Sequence, residues 1–437
     1  MPKIGLFARV PSPGQPEGIV VAPGGTVYVG SDAGPFIVRP DGSPPSKLFA
    51  YSPQGRLRRS YLIKGQDHSS FYGLFGLALD HAGLVYAVDH SPARIITIDP
   101  RTGRQRDYAR FRDVPRCLAP VRTTDCSDTQ GDMGSFPNFA VFAPDGTMYV
   151  TDTSQALIWR VPRGGGRPTV WYTDPGLESV FGPNGAEFLP DGRTLMFVQS
   201  LPGPDGPSQR SSGLYTIPVL ADGRPGRLKP FWRTTAFDSP DGFQITRSGN
   251  IYVTAAGANQ VVVLSSRGQE IARMPTPQEN SAMEVPFNQP ANVAFLGGQA
   301  LVTNHAYIDN NPRYWAVLSI ATAERAIPYF RPDLRPALHL AATPTRVMAG
   351  RRVRIRFRVS ARVRGRPVPL AGALIRFAGR RFRADRRGRA TIVLRFRARG
   401  RRRARASRLG YRGGVTFVRV ARQPRSPRAR SVVAAAR

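Results

Sequence analysis

Ser239 to Ile271 reads SPDGFQITRSGNIYVTAAGANQVVVLSSRGQEI. Asp241 and Gly242 open an alternating run, Gly249 turns the chain, Ile251, Tyr252 and Val253 form a second run, and Val261 to Leu264 form a third. Alternation broken by a turn glycine is the pattern of a small antiparallel meander.

The unit recurs. Counting from its leading residue, a glycine falls eight positions on and an aromatic or aliphatic residue eleven on. The leading positions are Glu17, Phe75, Asn138, Asn184, Asp241 and Asn292. Gly25, Gly83, Gly146, Gly192 and Gly249 hold the offset of eight, and Tyr28, Tyr86, Tyr149, Leu195 and Tyr252 the offset of eleven. The last copy is degenerate, with Gly298 at six. Six sheet-forming copies predict an all-β chain that closes into a six-bladed β-propeller, since closure removes exposed sheet edges. IGLFARV at the N-terminus reads as a strand that completes the last blade. Blade one is expected to use EGIVVAP, TVYVGSD, PFIVRP and KLFAYSP.

The 437 residues carry a net charge of +34 with very uneven placement. From Arg335 onward there are 32 arginines, no lysine and one acid, Asp385, leaving the preceding part nearly neutral. This break, with the stiff RPDLRP connector, divides the chain into a propeller at 1–332, a linker at 333–337, an Arg-rich β-sandwich at 338–420 and a basic tail at 421–437 that is expected to be disordered. No apolar run approaches the roughly 20 residues of a membrane-spanning helix. No secretory signal is visible at the start. Cys117 and Cys126, the only cysteines, sit nine apart in an insertion between blades two and three. Without a CxxC or a His pair beside them, they form either a loop-pinning disulfide or two free thiols. The disulfide reading leans the protein toward an extracytoplasmic or secreted location.

PEGIVVAPGGTVYVG, PNFAVFAPDGTMYVTD, GPNGAEFLPDGRTL and the opening stretch together resemble the regucalcin, gluconolactonase and strictosidine-synthase-like superfamily of six-bladed propellers, over roughly Ile4 to Pro332. The resemblance implies a metal-dependent lactonase branch in which Glu17, Asn184 and Asp241 hold one cation and Asn138 faces the substrate. It also implies a small lactone or ester substrate and a monomer.

Physical reasoning supports a common site. Residues opening the innermost strands of a radial array converge on the axis, and two carboxylates with amide oxygens make a hard, all-oxygen set. That set favours calcium, with magnesium, manganese or zinc as alternatives. Asp241 is the expected general base. Asn292 completes the ring, Phe75 walls the pocket, and Asp152 and His305 belong to a second ring, with Asp89 and Asn304, as substrate contacts. A non-catalytic, ligand-binding propeller is the alternative.

In RRVRIRFRVSARV, apolar residues alternate with arginines, giving a strand buried on one face and cationic on the other. PLAGALIRFAGRRFRADRRGRATIVLRF resembles bacterial immunoglobulin-like and carboxypeptidase-regulatory-like sandwiches, with Asp385 before the Gly388 turn. The arginines are read either as contacts for a polyanion such as cell-wall polymer or as a solvated face.

Overall fold

A computed structural model describes residues 2–32, 45–68, 73–117, 126–127, 133–309, 311–363 and 366–422. The predicted strand PFIVRP and the tail after 422 lie outside the described residues. Two units divide the chain, Met1–Leu334 and Arg335–Arg437.

Six four-stranded antiparallel sheets are described in the first unit. Their innermost strands are Pro16–Val21, Leu74–Leu79, Pro137–Phe142, Pro183–Phe188, Pro240–Ile245 and Pro290–Leu296. Each of these contacts the next, and the sixth contacts the first. Apolar side chains explain why the ring closes. One buried cluster lies between each neighbouring pair of blades, including Val27, Val29 and Phe49 of the first against Leu301 and Val317 of the sixth. The N-terminal strand Ile4–Arg9 pairs with Ala316–Ala321, so both ends of the propeller chain share blade six. Blade one is made of Pro16–Val21, Val27–Ser31, Lys47–Tyr51 and Leu57–Leu62, so its outer strand is the LRRSYL segment after KLFAY.

The same irregularity occurs at the start of every inner strand. Pairing with the second strand breaks between Pro16 and Ile19, Leu74 and Leu77, Pro137 and Ala140, Pro183 and Ala186, Pro240 and Phe243, and Pro290 and Val293. A bulge of this kind frees residues from the ladder and re-aims their side chains. Here it turns the residue after the leading proline or leucine toward the axis.

Crowding sets the residue that follows. A Cβ on Gly18 would lie 2.0 Å from the Phe75 carbonyl oxygen, and one on Gly185 would lie 2.6 Å from that of Asp241. Neighbouring blades therefore touch backbone to backbone at this level. Threonine hydroxyls complete the freed bonds. Thr151, Thr254 and Thr303 Oγ1 each accept an inner-strand N–H at 3.0 Å, from Phe139, Gly242 and Asn292. Thr254 donates onward to Ala291 and Thr303 to Glu17, both at 2.7 Å, which ties blade five to six and six to one.

The end of the propeller chain runs beneath the inner strands. Ile327 donates to Ile245, Phe330 packs on Phe188, and His81 donates to Pro332. Residue 334 therefore ends the unit, two residues beyond the expected boundary.

The second unit is a two-layer β-sandwich. One sheet contains Leu338–Thr343, Arg352–Val363, Arg366–Pro369 and Arg389–Arg395, and the other contains Arg346–Met348, Gly414–Ala421, Gly400–Ser407, Leu374–Phe377 and Arg380–Arg383. Ile355, Phe357, Val359, Ile375, Phe377, Ala404 and Val418 fill the space between them.

Replacing Thr303 with valine strands the Asn292 N–H and the Glu17 carbonyl in a buried site. The variant is expected to lose about 1–3 kcal/mol of stability, read as a lower denaturation midpoint with an unchanged slope.

Candidate active site at the propeller axis

Six equivalent backbone bonds ring the axis at the start of the inner strands. The N–H of the residue just past each second strand donates to the carbonyl just before each inner strand: Asp32 to Gln15, His90 to Gly73, Thr153 to Phe136, Ser200 to Gly182, Ala256 to Ser239, and His305 to Gln289. The rim is strained at Gln15, Ser239 and Gln289, whose φ values of 44°, 41° and 48° lie in the left-handed region. Such conformations cost on the order of 1–3 kcal/mol each and cluster at functional sites.

Glu17, Phe75, Asn138, Asn184 and Asp241 from the inner strands meet Asp32, Ser200, Ala256 and His305 from the second strands around one cavity of about 50 Å³. Phe136, Phe181, Ser239 and Tyr307 complete its wall from the loops. Of the residues singled out in the sequence, Glu17, Phe75, Asn138, Asn184, Asp241 and His305 are thus brought together.

Two others are not. The pairing of Pro290 with Asn304 places Ala291, not Asn292, at the ring position of blade six. Asn292 stands where blades one, two, four and five carry glycine, and its Oδ1 sits 2.4 Å from where a Gly242 Cβ would be. It packs between blades instead of lining the cavity. Asp152 is fully buried and saturated, accepting from Ser135, the Phe136 N–H, Gln155 and Trp159 Nε1. Asp89 is likewise held by Arg94 and Gln66, and Asn304 by Asn288, Pro286 and Tyr314. Strand alternation explains all three. Asp89, Asp152 and Asn304 end their second strands with side chains turned sideways to anchor loops, whereas the residues one step further on in blades one, four, five and six, Asp32, Ser200, Ala256 and His305, line the cavity.

The buried oxygens are the site's distinguishing feature. Glu17 Oε2, Asn138 Oδ1, Asn184 Oδ1 and Asp241 Oδ1 are all buried without a hydrogen-bond partner. Asn184 is oriented by its Nδ2, which donates to Ser200 Oγ at 3.1 Å. Buried polar atoms are normally satisfied, so four acceptors left open around one cavity call for a ligand. A hard divalent cation, which takes carboxylate and amide oxygens, fits this set. Among the described residues no group of three or more His, Cys, Asp or Glu is arranged to hold a metal; the donors here are two carboxylates and two amides.

Burial pushes the Glu17 carboxyl well up, and the negative charges of Asp241 and Asp32 push it further. Asp241 is raised to about 8 by burial, against a lowering by Asn184 and with a further rise from Asp32. Two such carboxyls in one dry space cannot both ionise at low cost. His305 Nε2 lies 2.9 Å from Asp32 Oδ2, with both side chains nearly buried. The Tyr307 phenol is raised by burial and by Asp241, which keeps its proton in place. Phe75, Phe136 and His90 form an aromatic wall, with ring centroids 5.4 Å apart for the phenylalanines and 3.7 Å for His90 on Phe136.

Asp32 was not read from the sequence. It follows Ser31, which is the register equivalent of Asp89 and Asp152, and the one-residue step toward the axis was the available signal.

A family profile described as the SMP-30/Gluconolactonase/LRE-like region matches residues 175–308. The match includes Asn184, Asp241, His305 and Tyr307 and begins after Glu17, Asp32 and Asn138. No curated protein matches the chain. Among solved structures, a candidate gluconolactonase superposes with a TM-score of 0.50 at 18% identity, over 75% of this chain and 94% of its own. A calcium-binding regucalcin from Agrobacterium tumefaciens gives 0.48 at 20% identity, over 75% and 98%. A gluconolactonase from Xanthomonas campestris gives 0.48 at 17%, over 74% and 90%. At 18% identity the first of these bears on the fold alone.

A carboxyl whose folded pKa is raised stabilises below its unfolded pKa and loses that contribution as pH climbs to the folded value. Chelator-treated protein is therefore expected to lose stability from about pH 4 to about pH 8, by up to about 1.4 kcal/mol per pH unit per group. Asp241→Asn should flatten that decline in a series of melts.

Proposed function

We propose that a propeller whose fourth to sixth blades match the SMP-30/Gluconolactonase/LRE-like region works as a hydrolase of lactones or related esters. It uses one divalent cation, calcium foremost with magnesium, manganese or zinc as alternatives, held by Glu17, Asn184 and Asp241. The observation that carries this reading is the set of four buried, unpaired oxygens. When bound, such a cation polarises a carbonyl oxygen and lowers the pKa of water.

The chain's own residues supply the rest. Asp241 takes the proton of the attacking water, whose oxygen bonds to the carbonyl carbon. The acyl C–O bond then breaks, and the proton passes to the departing alkoxide, giving a hydroxy acid from a lactone. Asn138 offers its amide to the substrate. Asp32 orients His305 through their 2.9 Å contact, and the protonated Tyr307 phenol is a donor for the leaving oxygen. Phe75, Phe136 and Phe181 exclude water and select a partly apolar substrate.

A binding-only propeller is the second reading. It is favoured by the narrowness of the cavity, about 50 Å³, against the several hundred Å³, roughly 300 or more, of ordinary ligand pockets. The Cys117–Cys126 disulfide supports an oxidising, extracytoplasmic setting. No helix among the described residues is long and apolar enough to cross a membrane.

The two readings separate on a lactone panel assayed before and after chelation, with metal content measured on the same sample. Wild type is expected to hydrolyse at least one lactone, lose that activity in chelator and regain it with calcium. Asp241→Ala should lose about a hundredfold or more while melting cooperatively. Full activity in that variant contradicts the hydrolase assignment, and tight metal binding without turnover favours the binding-only propeller.

A further inference from the structure

We propose that the outer face of the five-stranded sheet in the second unit binds a base-free phosphodiester polymer through two transverse rows of arginines. Pairing registers define the rows. Arg346 stands opposite Arg419, and Arg419 opposite Arg401, across three adjacent strands. Arg381 stands opposite Arg376, and Arg376 opposite Arg405, across two further strands and Gly400–Ser407, which the two rows share. All six are exposed, while their strand neighbours Val347, Val418, Val420, Ile375, Phe377, Ala404 and Ala406 face the core.

Directly opposed side chains in a sheet lie about 5 Å apart at Cβ, and like charges there are destabilising. Each row therefore carries two repulsive contacts. Among the described residues no carboxylate pairs with these arginines. Asp385 is its only acid, and its Oδ1 is taken by the Arg387 and Arg389 backbone amides. A sheet that repeats this arrangement twice on one face is organised for an external anion with repeating charges. A groove of about 740 Å³ around the first row, lined by Arg346, Arg399, Arg401, Phe417 and Arg419, gives such a chain a course to follow.

The side-chain chemistry selects the polymer. Guanidinium forks grip phosphate oxygens in pairs, which ammonium groups do not, and this unit uses arginine without a single lysine. A tetrahedral phosphodiester exposes its free oxygens to forks approaching from two sides, as opposed arginines do. Nucleobases require open aromatic platforms. The ring on this face, Phe417, is already covered by the Arg401 guanidinium 3.5 Å from its centroid. The ligand expected is therefore a sugar- or polyol-phosphate chain without bases.

The test uses the full chain and three probes of matched charge: poly(glycerol phosphate), oligothymidylate and heparin. One variant, R376Q/R401Q/R405Q/R419Q, removes four of the six row arginines, including the central one of each row. A second, R386Q/R387Q/R397Q/R408Q, removes the same charge from turns and bends. Wild type is expected to bind poly(glycerol phosphate) at least as tightly as the other two polymers. The slope of log affinity against log salt should fall by about 3 in the row variant, at about 0.7 per lost contact, and by less than about 1 in the turn variant. Without polymer, the row variant should melt no lower than wild type, because repulsion has been relieved. R401K/R419K, which preserves charge, should bind about tenfold more weakly with little change in slope. Equal losses in the two quadruple variants overturn the proposal, as does tighter binding of oligothymidylate or heparin. If the row variant fails to fold, an R401K/R419K affinity equal to wild type overturns it instead.

Discussion

Backbone crowding at the propeller axis is the constraint on which the site depends. Six inner strands share one axis, and in four of them the residue after the ring position leaves room for the next blade. Gly18, Gly76, Gly185 and Gly242 do so with no side chain, and the carbonyls of Phe75 and Asp241 fill the space a Cβ would need. Strands this close cannot keep a regular ladder, so each breaks register at the same place. The bulges leave N–H groups that Thr151, Thr254 and Thr303 recover. Convergence of Glu17, Asn138, Asn184 and Asp241 thus follows from backbone packing before any functional demand is considered.

That packing concentrates charge where water is excluded. Glu17 and Asp241 carry raised pKa values because each is buried and each feels a second carboxylate. Asp32 has a separate solution, placing one oxygen 2.9 Å from His305 Nε2. The cavity therefore has two electrostatic compartments, an open set of oxygens on one side and an acid–histidine pair on the other. Phe75 and Phe136 lie against the first, and Tyr307 links the two by facing Asp241 while its ring sits 5.2 Å from His305.

How much of this was legible in the sequence follows from strand period. The spacing of turn glycines located the ring position in five blades, because their leading residues precede the turn by a constant step. The two-residue Gly297–Gly298 turn shortens the sixth hairpin, so the constant offset fails there and Asn292 is read as the leading residue where Ala291 stands. An offset of one turns a strand residue to the opposite side, and the same offset separates Asn304 from His305, which reaches the cavity. Phe136, Phe181 and Tyr307 arrive from loops, which have no period to read. In the second unit, alternation of arginine with apolar residues revealed the two faces of each strand, whereas the opposition of Arg419 with Arg346 and Arg401 depends on strand order and was not visible.

The central claim is that the unpaired oxygens at the axis are a cation site. Crystals of the chain grown with calcium and, separately, with manganese, and measured for anomalous scattering, address it directly. One peak is expected in the axial cavity, bonded by Glu17, Asn184 and Asp241 at about 2.3–2.6 Å for calcium. Those three side chains closed on one another by hydrogen bonds, with no peak at saturating cation, would contradict the account.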